Sequence, residues 1–267
     1  MSVFSRRGKP AEMAISEREL SQMTRELDEL HESTFPQVRK TLDELAGSLG
    51  QVVRQPSTRR GFFLGAAGAV ALGTAAACSS SQTAAPAESS PAAAPPAETY
   101  TGDLKVVALA TALENLAVTA YGGALKKAGA GELGTVPPAV ATFIQTAMKQ
   151  HADHAQAWNA VLSKAGKPTI NDAPLTITQE QVAKLTAAKT VPEVAQLALN
   201  LENVAAQTYT FAAANVTDPG GIMTAATIQP VETMHAAILN FVLGQYPVPD
   251  SFIGVTNSLK PDTLTVK

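Results

Sequence analysis

The sequence predicts an all-α fold, a bundle of four long helices arranged as two pairs joined by one long crossover. Three observations predict it. Hydrophobic residues make up 45% of the 267 positions but aromatic ones only 5%, an alanine-rich composition that favours packed helices over sheet. The segments "LENLAVTAY" (113–121) and "LENVAAQTY" (201–209) repeat one pattern, with Tyr seven residues after Glu in both. Two other segments each carry a doublet three residues apart, His151–His154 and Glu232–His235.

Residues 1–56 form an extended, acidic N-terminal region with no strand pattern. Leu20, Met23, Leu27 and Leu30 fall at helical spacing, so a short amphipathic helix fits there. This region serves either as a partner-binding segment or as an extended leader lost on processing. Residues 57–77 follow, with Arg59-Arg60 leading into an uncharged run that ends in small residues, the order of a secretory signal. "TRRGFFL" resembles the twin-arginine export motif. "AAAC" resembles a lipobox, with Ala75 where Leu is usual, which makes Cys78 the candidate for lipidation. The other possibility is an uncleaved anchor at the short limit for spanning a bilayer. Cys78 is the one cysteine of the chain, so an internal disulfide and a thiolate metal site are both excluded.

Residues 78–102 are rich in Ser, Ala and Pro, cannot bury enough apolar surface to fold, and read as a disordered tether. The domain proper is predicted over 103–244. Its first helix covers about 103–128 and stops at "KKAGAG"; the second covers about 137–165, opening at Thr135 with two prolines in its first turn and closing at Gly166. A short helix near 178–189 lies in the crossover, and the third long helix covers about 192–215. The fourth lies between Asp218 and Gly244, with Pro230 either starting or kinking its main body. The tail, 245–267, wraps the bundle without one regular element.

Helical periodicity aligns Glu114 with Val107, Ala110, Ala117 and Tyr121, and Glu202 with Ala195, Ala198, Ala205 and Tyr209. Glu232 and His235 align with Ile228, Leu239 and Val242. Three carboxylates thus point along apolar stripes, where an ionised group costs several kcal/mol unless compensated. Every arginine lies at or before Arg60, so no guanidinium of the bundle can compensate them. Divalent cations or the histidines remain. Of four histidines, His31 falls in the N-terminal region and the other three occupy the doublets. Residues three apart on a helix can reach one ion, and imidazole with carboxylate suits Fe, Mn or Zn.

The repeated Glu, the doublets and the crossover together resemble the ferritin-like four-helix bundle, and specifically its exported bacterial members with twin-arginine or lipoprotein signals. In that family a Glu from each of two helices and Glu-x-x-His from the other two hold a di-metal centre. The resemblance implies Glu114, His151, His154, Glu202, Glu232 and His235 as metal ligands. Tyr121 and Tyr209 would hydrogen-bond ligand carboxylates or pack in the core. The family pattern has Glu where this chain has His151, which lowers the negative charge of the site. A single-metal, mixed or weakened dinuclear centre, or a purely structural bundle, then competes with di-iron chemistry.

The functional expectation is a metal-binding protein with possible ferroxidase-like chemistry, lipid-anchored through Cys78 at the outer face of the cytoplasmic membrane. Its partners would be membrane lipid and the twin-arginine export machinery. The alternative is a non-catalytic envelope lipoprotein whose bundle binds another protein. A formal net charge of −3 gives no electrostatic case for nucleic acid. An anchor and long tether conflict with closing an iron-storage shell.

Overall fold

The computed structural model describes residues 16–54 and 99–266. Every regular element among them is helical. In chain order these are α1 (Glu17–Arg54), α2 (Asp103–Gly129), α3 (Pro138–Lys164), α4 (Thr178–Ala187), α5 (Val191–Asn215) and α6 (Pro219–Val242), followed by a 3-10 turn at Pro261–Thr263. Arg59, Arg60, Cys78 and the 57–77 signal lie outside the described residues.

Local chemistry fixes the helix ends. Ser16 and Glu19 form a reciprocal cap on α1, Glu19 N–H donating to the Ser16 hydroxyl and the Glu19 carboxylate accepting from Ser16 N–H. Thr190 and Glu193 do the same for α5. Asp218 accepts from the Gly220 and Gly221 amides to open α6. Thr135 does not cap α3: Pro137 holds the cap position with no side-chain bond, and Pro138 opens the helix because its missing N–H would have no partner there. Pro230 neither starts nor ends α6, which begins at Pro219 and runs through it.

Helices α2, α3, α5 and α6 form the bundle, with α2 packed on α3 and α5, and α5 packed on α6. The short α4 lies in the crossover against α2 and α5. The Asp103 carboxylate accepts from the Thr217 and Asp218 amides at 3.0 and 2.9 Å, tying the start of α2 to the α5–α6 turn. The tail returns along α5, where Leu259 N–H donates to the Thr208 hydroxyl and Asn257 N–H to the Gln207 side-chain oxygen.

The fourth edge of the bundle, between α3 and α6, has a different solution. The long α1 runs along both helices there. It buries Leu20, Leu27, Phe35, Val38, Leu42 and Leu45, which with Thr24 and His31 make a stripe recurring every three or four residues. Each such apolar side chain contributes about 1.5–3 kcal/mol when fully buried. The helix is therefore far longer than a short amphipathic one, and its buried face is rotated from the expected set, since Leu30 is 51% exposed. A Cβ at Gly220 would lie 3.0 Å from the Thr41 carbonyl oxygen, so glycine is what lets α6 approach α1 this closely. Ser48 completes the contact by donating to the Asp218 carboxylate.

Two apolar clusters divide the interior. One is built on Leu104–Leu116, Trp158, Val161 and Ile228. The other is built on Tyr121, Phe143, Ile144 and Leu239. Between them lies a layer of buried charge.

Candidate metal centre

That layer holds Glu114 from α2, His151 and His154 from α3, Glu202 from α5, and Glu232 and His235 from α6, all buried. The structure brings all six sequence-predicted residues together. Glu114, His151, His154 and Glu232 offer ligand atoms within 4.8 Å of one another, and so do His151, Glu202, Glu232 and His235. His151 and Glu232 belong to both groups and stand at the middle of the site.

The two tyrosines cross the site. Tyr121 on α2 donates to the Glu202 carboxylate on α5, and Tyr209 on α5 donates to Glu114 on α2. Each lies seven residues, two helical turns, beyond the glutamate of its own helix, and each serves the glutamate of the other. Tyr209 also accepts from the Trp158 indole N–H at 2.9 Å. Burial raises both phenols well above their usual range, with the facing glutamates adding to it, so both keep the proton they donate.

His151 lies between the same two carboxylates, with Nδ1 2.7 Å from Glu114 and Nε2 3.2 Å from Glu202. Glu232 and the other two imidazoles are not satisfied in this way. His154 Nδ1 is 3.3 Å from Glu232 Oε1 and 3.5 Å from Glu114 Oε1. His235 Nδ1 is 3.5 Å from Glu202 Oε2 and 3.6 Å from Glu232 Oε2. Neither Nδ1, neither Glu232 oxygen, nor Glu202 Oε2 makes a hydrogen bond. Five buried polar atoms from three helices thus face one interior region without partners, although such atoms are ordinarily satisfied.

Charge complementarity holds the layer together. Desolvation alone would raise the Glu114 carboxyl, but the His154 charge and the bond from His151 outweigh it and hold it at about 2. Glu202 is likewise held well below the carboxylate range, burial being overcome by the charges of His151 and His235. Burial opposes charge on the imidazoles too. The facing carboxylates reverse this, taking His154 up to about 9, raising His235, and taking His151 well above its usual range. Without metal, the imidazoles serve as the compensating cations.

The outward nitrogens meet groups that periodicity alone did not reveal. His235 Nε2 is 2.9 Å from the Gln150 side-chain oxygen, and the Gln150 amide donates to Asp28 on α1 at 3.2 Å. His154 Nε2 is 3.2 Å from Nε2 of His31, also on α1, which stacks on Phe35 with ring centroids 4.7 Å apart. His31 stands in phase with Leu27 and Phe35, and that phase was the available signal. Asp153, beside the doublet, faces outward and pairs with Lys149 and Arg39.

A family model described as a ferritin-like domain matches residues 102–245. No curated protein and no solved structure matches the chain. The matched span contains α2 to α6 and every residue of the buried charge layer.

Proposed function

The chain belongs to the ferritin-like domain family, and from that premise we propose that it is an exported, membrane-tethered protein that binds a divalent metal, iron first, beside Glu232. The orphaned buried atoms carry the reading. A carboxylate with both oxygens unpartnered, flanked by two unpartnered imidazole nitrogens, is a donor set that suits Fe, Mn or Zn. The residues present fit such an ion. Glu232 would hold it either with Nδ1 of His154 and the Glu114 carboxylate, or with Nδ1 of His235 and the Glu202 carboxylate.

A bound iron or manganese would supply redox chemistry of the ferroxidase class, and zinc Lewis acidity alone. The chain's own contribution is positional. Tyr121 and Tyr209 aim Glu202 and Glu114, and the apolar clusters on either side exclude water. His151 stands where the family pattern has a carboxylate, with both nitrogens already against Glu114 and Glu202. That favours one tightly held cation over two. It also supports a second reading, a non-catalytic envelope lipoprotein whose charge layer compensates itself and whose bundle binds a protein.

Export through the twin-arginine route and lipidation at Cys78 rest on residues 57–78. That route carries folded proteins. Docked α1 then belongs to the folded chain before export, because cutting ahead of Cys78 would sever α1 from the bundle.

The test is metal content of the purified full chain beside a Glu232→Gln variant, which keeps the shape and removes the charge. The expected result is stoichiometric divalent metal in the first and its loss in the second. Equal, sub-stoichiometric metal in both would favour the self-compensated bundle.

A further inference from the structure

We propose that α1 supplies the outer half of the metal centre: His31, and Asp28 acting through Gln150, hold His154 and His235 in the tautomer and orientation that turn Nδ1 toward the cation. This rests on the metal-binding reading and adds an element outside the matched 102–245 span. An imidazole that binds a cation through one nitrogen must carry its proton on the other, and the group accepting that proton sets the ring's angle.

The chain on His235 is directional. The Asp28 carboxylate accepts from the Gln150 NH2, which turns the Gln150 oxygen toward His235 Nε2 at 2.9 Å. His235 Nε2 is then the donor, which leaves Nδ1, facing Glu202 and Glu232, to give its lone pair to a cation in place of a proton. On His154, Nδ1 faces Glu114 and Glu232; with a cation taken by Nδ1, Nε2 carries the proton and donates to His31 Nε2. His31 is itself fixed by the Phe35 ring stacked on it. Gln150 is fully buried and His31 nearly so, and the His31–His154 and Asp28–Gln150 contacts both come from α1 docked along the α3–α6 edge.

The third imidazole provides the contrast. His151 has carboxylates on both nitrogens and takes nothing from α1. Of the three histidines of the charge layer, the two with an orphaned Nδ1 are the two whose Nε2 meets His31 or Gln150. Their role is positioning, since none of His31, Gln150 or Asp28 faces the site interior.

The test uses the full chain loaded with cobalt(II) chloride, followed by its d–d absorption bands and by the rate of cobalt release to excess chelator. His31→Leu and Gln150→Leu remove the acceptors at similar volume, whereas His31→Gln restores an acceptor oxygen. The expected result is release about 10–100-fold faster in both Leu variants, with altered cobalt bands, and a rate and spectrum close to wild type in His31→Gln. Wild-type rates and bands in both Leu variants would overturn the proposal, as would His31→Gln falling as far as His31→Leu, which would assign His31 to packing alone. A wild-type chain that binds no cobalt would instead overturn the metal reading on which this one rests.

Discussion

Two sides of the charge layer obey different rules. On the α2–α5 side, Glu114 and Glu202 are each held by a tyrosine from the opposite helix and by one nitrogen of His151. On the α3–α6 side, Glu232 has no hydrogen bond, and His154 and His235 meet it at 3.3 and 3.6 Å with Nδ1 unpartnered. The first side satisfies itself as protein but for one Glu202 oxygen. The second leaves polar atoms unpartnered that a cation inside would satisfy, and α1 covers it from outside. A buried site becomes a binding site where the fold stops satisfying its own polar groups, and here that happens along one edge.

Breaking the outer closure should have the largest effect. Leu45 on α1 is fully buried against the start of α6, so Leu45→Ala should cost about 2–5 kcal/mol in urea unfolding of the full chain. A loss near zero would mean that α1 does not fold cooperatively with the bundle. The crossed tyrosines sharpen the comparison on the other side. Tyr209→Phe removes the bond to Glu114 and strands the Trp158 N–H, for a loss of about 3 kcal/mol in the metal-free chain. Tyr121→Phe removes only the Glu202 bond and should cost about 2 kcal/mol. Equal losses, or the reverse order, would contradict the geometry.

The remaining effect is that of pH on the metal-free chain. His154 is raised from 6.5 to about 9, so its stabilising share is complete below about pH 6.5 and disappears as pH rises through about 9. Glu114 is lowered from 4.5 to about 2, so its share is complete above about pH 4.5 and disappears as pH falls through about 2. The melting temperature of metal-free protein should therefore fall between pH 6.5 and 9, by roughly 2–4 °C per kcal/mol lost. Metal affinity should move the other way, because the cation competes with protons for the same nitrogens.

The bundle was legible because its signals are periodic. The two Leu-Glu-Asn segments place Glu and Tyr two turns apart on one face, and the absence of arginine beyond Arg60 made the inward glutamates conspicuous. That Tyr121 and Tyr209 cross between helices was not legible, since the choice between a ligand carboxylate and core packing depends on helix pairing. The docking of α1 was hidden for another reason. Its true stripe, Leu20, Leu27, Phe35, Val38, Leu42 and Leu45, is interrupted by the polar Thr24 and His31, and the expected set included Leu30, which is exposed. Gln150 gave no sign of its own because a glutamine on a helix is usually solvated; only its phase with His154 pointed inward.

The most direct measurement is anomalous diffraction at the cobalt edge from crystals of the full chain grown with cobalt(II). The account predicts a peak in the interior beside Glu232, about 2.0–2.2 Å from Nδ1 of His154 or His235. An empty interior, with cobalt only at surface groups such as Glu32 and Asp153, would contradict it.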